Sequence, residues 1–167
     1  CKSDQYSQRA GSVRDNSNID ILECSDCGLV YLSSLNHIQD GHYEESGMHG
    51  DEVPDIDNWL KETEFDDNRR FEFIKAKITN KTILDFGCGI GGFLDKSKQS
   101  ADKVAGIELE IALQTSFKKR ELNVFLNLSA AKENNQKYDI ITAFHVVEHL
   151  QDPKSILKDL SELLAGG

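Results

Sequence analysis

"ILDFGCGIGGFL", residues 83–94, decides the fold. An apolar run ends in an acid, Asp85, and Gly87, Gly89, Gly91 and Gly92 follow at once. "KTILDF" (81–86) reads as a short buried strand, and "GGFLDKSKQ" (91–99) as a helix that starts directly behind the glycines. A glycine-rich turn between a first strand and its helix lets a ligand lie against bare backbone, beside the N–H groups of the helix start. Gly87, Gly89 and Gly92 satisfy G-x-G-x-x-G, and Gly87, Gly89 and Gly91 satisfy G-x-G-x-G. Tight turns that hold no ligand meet either pattern, so the neighbouring segments have to decide.

Downstream, strands and helices alternate. "DKVAGIEL" (102–109), "NVFLNL" (123–128) and "YDIITAF" (138–144) read as further strands. "IALQTSFKKREL" (111–122) reads as a helix with Leu113 and Phe117 on one face. The segment 152–167 closes as a helix: Asp152 suits the N-cap, Pro153 the first turn and Gly166 the stop. Ile156, Leu157, Leu160, Leu163 and Leu164 form its apolar stripe. Upstream, Phe71, Ile74 and Ile78 fall at helical spacing, so a helix leads into the glycine stretch. Alternation of this kind implies an α/β fold, a doubly wound parallel sheet covered on both faces. Residues 66–167 are expected to form this core, 36–65 an acidic linker or lid, and 1–35 a separate small β element in which 18–24 and 28–32 pair as strands.

The bounds agree with one domain and a small appendage: 167 residues. A formal net charge of -10 speaks against a nucleic-acid backbone or an anionic membrane surface as main partner. No apolar run of about 18 residues is present that would span a bilayer. The cysteine spacing suits a reducing cytoplasm better than a secreted disulfide scaffold.

Asp85 and Glu108 bear on the ligand. A carboxylate just before the first glycine repels a pyrophosphate and tolerates a cation. S-adenosylmethionine carries a sulfonium and an ammonium group and no phosphate. Glu108 ends the second strand, where an acid can accept both ribose hydroxyls; that serves S-adenosylmethionine and NAD alike.

"ILDFGCGIGGFL", "VAGIELE" and "YDIITAFHVVEHLQDP" together resemble the first, second and fourth strand regions of class I S-adenosylmethionine-dependent methyltransferases. They are most similar to a bacterial group in which an E-H-L segment follows the fourth strand. The resemblance covers about residues 66–167. It implies a Rossmann-like core in which Asp85, Phe86, Gly87, Cys88 and Gly89 border the methionine part of the cofactor. It also implies Glu108 and Leu109 at the ribose, Ser129 beside the adenine, and Ala143 and Phe144 along the cofactor. The stretch around Ser129 departs from the acidic pattern usual in that family. In related enzymes the helix carrying Arg69 and Arg70 covers the methionine end, where one of them binds a carboxylate or, on the plainer reading, both balance Asp66 and Asp67.

Methyl transfer is an in-line displacement, so the enzyme aligns the acceptor and, for a hydroxyl, removes a proton. His145, at the end of the fourth strand, is the candidate base. Glu148 and His149 read more simply as structural groups at a helix start.

"CSDCG" (24–28) resembles a zinc knuckle, in which Cys24 and Cys27 share a metal and Gly28 lets the turn close. Cys1 supplies a third ligand. The fourth is either a cysteine expected just upstream of Cys1 or one of His37, His42 and His49; a hairpin of reduced, metal-free cysteines is the alternative. Many methyltransferases similar to this core carry such a zinc-ribbon-like element. Cys88 reads as a small residue under the cofactor.

The expected activity is methyl transfer from S-adenosylmethionine to a small molecule. The resemblance suggests as acceptor a sugar or nucleotide-sugar of surface polysaccharide synthesis. The rivals are a non-catalytic cofactor- or partner-binding module and an NAD-binding oxidoreductase. Four of the family's seven strands are legible, so the core is expected to be incomplete at its C-terminus. Its fourth strand would then be an edge open to aggregation or to pairing in a homodimer.

Overall fold

The computed structural model describes residues 3–13, 16–34 and 55–166. Cys1, His37, His42 and His49, all named above, lie outside the described residues. The chain divides into two compact units, residues 1–40 and 41–167.

The first unit holds a three-stranded antiparallel sheet of β1 (Tyr6–Arg9), β2 (Ile21–Cys24) and β3 (Val30–Leu32), with β2 in the middle. Leu22 and Cys24 alternate inward along β2, and Ile19 joins them.

The second unit begins with α1 (Ile56–Ile78). The Asp55 carboxylate caps it by accepting the Asn58 N–H at 3.0 Å. Asp67, Phe71, Ile74 and Ile78 are its buried positions, at alternating steps of four and three, which is one stripe of a helix. Burying each of the three apolar ones contributes about 1.5–3 kcal/mol. Asn80, left-handed at φ 58, follows the last turn and aims the chain into the sheet.

That sheet is parallel and four-stranded, made of β4 (Thr82–Phe86), β5 (Lys103–Ile107), β6 (Asn123–Phe125) and β7 (Ile140–Thr142), in the order β6-β5-β4-β7. The chain steps outward from β4 to β6 and then returns to the other side of β4. The topological switch point therefore lies between β4 and β7, where open α/β sheets bind ligands outside the strands' carboxyl ends. Ile83 and Leu84 are neighbours in β4, both fully buried, yet they belong to different cores. Ile83 packs with residues of α1, of α2 (Gly92–Ser97) and of α3 (Gln114–Lys119). Leu84 packs on the opposite face with Ala131 of α4 (Leu128–Glu133), Tyr138 and Leu163. This is the doubly wound arrangement.

α5 (Pro153–Ser161) closes the unit, and Asp152 caps it through the Ser155 N–H at 3.0 Å. The helix expected over 152–167 ends at Ser161: within it Leu160 is buried and Leu157 exposed, and beyond it Leu163 is buried and Leu164 exposed. Among the named strands β7 pairs with β4, and Tyr138, just before β7, makes an isolated parallel bridge to Leu164, so the side of β7 expected to be open is engaged at its start.

Four elements differ from the sequence reading. The first unit has a third strand, β1. Residues 56–65 are helical rather than linker. The strand expected over 123–128 ends at Phe125. Asn127 then caps α4 by accepting the Ala130 N–H at 2.9 Å, which places Ser129 on an exposed helical turn.

Candidate functional site: an acidic crevice at the carboxyl ends of the strands

Asp85 is the fourth residue of β4, in register with Gly106 of β5 and Thr142 of β7. It is almost completely buried, and the Thr142 hydroxyl donates to its Oδ1 at 2.6 Å. Burial pushes its carboxyl up from 3.8 to about 7. The Thr142 hydrogen bond and the charge of Arg70 oppose this, and the charges of Asp67 and Glu108 add to it.

The glycine turn follows. Gly87 has φ 72, and a Cβ there would stand 2.4 Å from Val146 Cγ2, so the loop after β7 rests directly on this residue. Gly89 has φ 52, and a Cβ there would meet nothing within 4 Å: it faces open space. One glycine is thus required by the protein's own packing, the other by backbone conformation alone.

Glu108 follows the last residue of β5. Its Oε2 accepts the Gly89 N–H at 2.8 Å and its Oε1 the Glu110 N–H at 3.1 Å. Desolvation raises its carboxyl above the ordinary value; the N–H groups of Glu110 and Gly89 pull it back. The Leu109 N–H adds a further, weaker contribution of the same sign. Glu108 therefore ties the glycine turn to the end of β5. Cys88 is buried below the turn, where a Cβ on Gly106 would touch its sulfur at 2.6 Å. Burial raises its thiol well above the ordinary value, which removes it as a nucleophile. Phe86 and Leu109 are half-buried at the ends of β4 and β5.

Ala143 and Phe144 leave β7 half-buried. Phe144 meets Phe93 edge to face at 5.2 Å, and the Arg70 guanidinium lies 5.4 Å from its ring centre. Arg70 pairs with Asp66 at 2.5 Å. Its Nε is buried and finds no hydrogen-bond partner among the described residues. His145 is left-handed at φ 56, a conformation that costs a non-glycine residue about 1–3 kcal/mol. The side chain is exposed, with Nδ1 3.5 Å from Glu148 Oε1.

In the first unit, Gly28 has φ 71 and donates its N–H to the Cys24 carbonyl at 2.9 Å. The backbone N–H of Cys27, then that of Asp26, lowers the Cys24 thiol from its ordinary value. Among the described residues no three His, Cys, Asp or Glu side chains cluster as a metal site.

The sequence reading missed Thr142, Val146 and Arg120, and it took Asp67 as a solvated counter-charge of the arginines, whereas the side chain is buried. Thr142 is the one polar residue of β7, a signal that becomes meaningful only once its register with Asp85 is known. Arg120 was hidden in the basic run "KKRE".

Residues 56–167 match a family model described as a methyltransferase domain. The chain belongs to the class I S-adenosylmethionine-dependent methyltransferases. This methyltransferase chain is 38% identical over 109 residues to a ubiquinone biosynthesis O-methyltransferase of Hydrogenovibrio crunogenus, covering 59% of this chain and 45% of that protein. A protein of the same name from Pseudoalteromonas translucida is 30% identical over 68% of this chain and 52% of its own length. The chain thus spans about half the length of the curated relatives it matches.

Two solved methyltransferases share the fold. The plantazolicin methyltransferase in complex with S-adenosylhomocysteine superposes with TM-score 0.54 at 23% identity, over 66% of this chain and 48% of that one. Magnesium protoporphyrin IX methyltransferase from Synechocystis, with bound S-adenosylhomocysteine, gives 0.54 at 14% identity, over 78% and 68%. No helix among the described residues of the methyltransferase is long and apolar enough to cross a membrane.

Proposed function

We propose that this methyltransferase moves a methyl group from S-adenosylmethionine to a hydroxyl oxygen of a small molecule. The observation that carries the reading is the pair of acids around the glycine turn. Asp85 and Glu108 both have carboxyls raised by burial. A ligand that brings positive charge relieves that tension, and one that brings a pyrophosphate worsens it. The first description fits S-adenosylmethionine; the second fits NAD. The orphaned Arg70 Nε suits the methionine carboxylate, which adds support at the opposite end of the same ligand.

The residues fit the cofactor as follows. Asp85, Phe86, Gly87, Cys88 and Gly89 would hold the methionine part, with the open side of Gly89 towards it. Glu108 would take the ribose hydroxyls, with Leu109 beside it. Ala143 and Phe144 would flank the cofactor, and Ser129, on the exposed turn of α4, its adenine rim. When bound, S-adenosylmethionine supplies the methyl group as a carbon activated by the sulfonium. His145 would take the acceptor hydroxyl's proton while the oxygen attacks that carbon, with Glu148 orienting the imidazole through Nδ1. The strained backbone of His145 and its seat over Gly87, through Val146, support a role at the reacting end.

The names of the relatives favour an O-methyl acceptor and ubiquinone biosynthesis. A sugar hydroxyl would satisfy the same chemistry but draws no support from those names. A structural zinc at Cys24 and Cys27, with Cys1 as third ligand, belongs to the same proposal. Its support is the closed Gly28 turn and the N–H groups aimed at the Cys24 sulfur.

The test of the reaction is release of S-adenosylhomocysteine with a panel of phenolic and sugar hydroxyl acceptors. His145→Ala should slow turnover about 10²- to 10⁴-fold, the usual worth of a general base. Its affinity for S-adenosylhomocysteine should stay within a few-fold of the parent's. Undiminished turnover would make His145 structural. Tight binding by the parent with no turnover on any acceptor would favour a binding module instead.

A further inference from the structure

We infer that Arg120 is a positioning residue for cofactor binding: it braces the glycine turn from behind, and the affinity for the cofactor depends on that brace. The inference rests on the cofactor reading above and concerns a residue outside the crevice.

Arg120 ends α3 with its side chain mostly buried, 18% exposed. Its Nη1 meets Asp95 Oδ2 of α2 at 2.6 Å, and its Nη2 donates to the Ile90 carbonyl within the glycine turn. The guanidinium lies 5.8 Å from the centre of the Phe117 ring. The Arg120 carbonyl in turn accepts the Lys98 ammonium at 2.8 Å. One side chain therefore ties together the end of α3, the glycine turn and the first turn of α2.

The turn is gripped by two charges of opposite sign on consecutive residues. Glu108 holds the Gly89 N–H, and Arg120 holds the Ile90 C=O. Each group of the turn meets the charge its own dipole prefers, so the pair fixes orientation as well as place. The turn needs such fixing. Gly87, Gly89 and Gly91 all have positive φ, and glycine loses more conformational freedom on ordering than any other residue. A turn already ordered in the free chain spares the ligand that cost, which raises affinity without a new contact. Lysine cannot replace this grip, because a single ammonium does not reach two acceptors in the fixed fork of a guanidinium.

The experiment measures two quantities on the whole chain. Amide hydrogen exchange at residues 89–93, without ligand, reads the brace. Calorimetric titration with S-adenosylhomocysteine reads its consequence. In Arg120→Met the turn amides should exchange at least about tenfold faster and affinity should fall at least about tenfold, with Arg120→Lys intermediate. Ile78→Val, which loosens the core on the α1 side, is the control: it should lower the melting temperature while leaving both quantities at the parent's values. Where Arg120→Met does not fold, Arg120→Lys and Asp95→Asn carry the comparison. A folded Arg120 variant with the parent's exchange and affinity overturns the inference, as does equal weakening by Ile78→Val. Failure of the parent itself to bind S-adenosylhomocysteine overturns the cofactor reading and is distinguishable, because exchange still shows whether the brace exists.

Discussion

Asp85 is enclosed by β7, by α1 and by the turn that follows its own strand. A carboxyl that titrates near 3.8 in the open chain and near 7 when folded keeps its proton, across that interval, only in the folded state. The folded state therefore binds more protons than the unfolded one, and stability falls as pH rises from about 4 to about 7. Glu108 and Asp67, both raised first by desolvation, act in the same direction. At about 1.4 kcal/mol per unit, Asp85 alone accounts for a few kcal/mol over that range. The melting temperature of the free chain should decline from pH 5 to pH 8, and Asp85→Asn should flatten the decline. A melting temperature that rises over this range, or an unchanged slope in the variant, would mean that Asp85 is not held as described. The strand-end placement of Asp85 and Glu108 was legible in the sequence because each interrupts an apolar run close to glycines. Thr142 was not, because its meaning depends on a register set by residues far away in the chain.

Among the elements, those with a strong period or a cap were legible. α1 announced itself by Phe71, Ile74 and Ile78, and α5 by Asp152 and Pro153. α4 was hidden because Val124, Phe125, Leu126 and Leu128 form an apolar run that serves a strand or a helix equally. Asn127 settled the matter by capping a helix inside it. β1 was hidden because "YSQR" is exposed throughout and shows no alternation; it is a strand only because β2 pairs with it in register. The hairpin that follows, around Cys24 and Cys27, is where the zinc proposal is tested. Purified without chelators, the protein should hold close to one zinc per chain, and Cys24→Ser should lower its melting temperature. A metal-free protein whose melting is indifferent to Cys24→Ser would leave the hairpin as a pair of reduced thiols.

For the molecule as a whole, the switch point between β4 and β7 lies beside Asp85, the glycine turn and Glu108, and this is the acidic crevice proposed for the cofactor. A net charge of -10 adds a long-range preference for cations to the local one. This architecture was legible because one glycine stretch, one acid about twenty residues later and one regular alternation of elements fix the topology together. The brace by Arg120 was not, since nothing in "KKRE" shows which cation turns inward. Calorimetric titration of the chain with S-adenosylhomocysteine and with NAD, side by side, tests the meaning of the crevice most directly. The account predicts saturable, micromolar binding of S-adenosylhomocysteine, abolished by Gly89→Val, and no detectable heat from NAD. Tighter binding of NAD than of S-adenosylhomocysteine would contradict it.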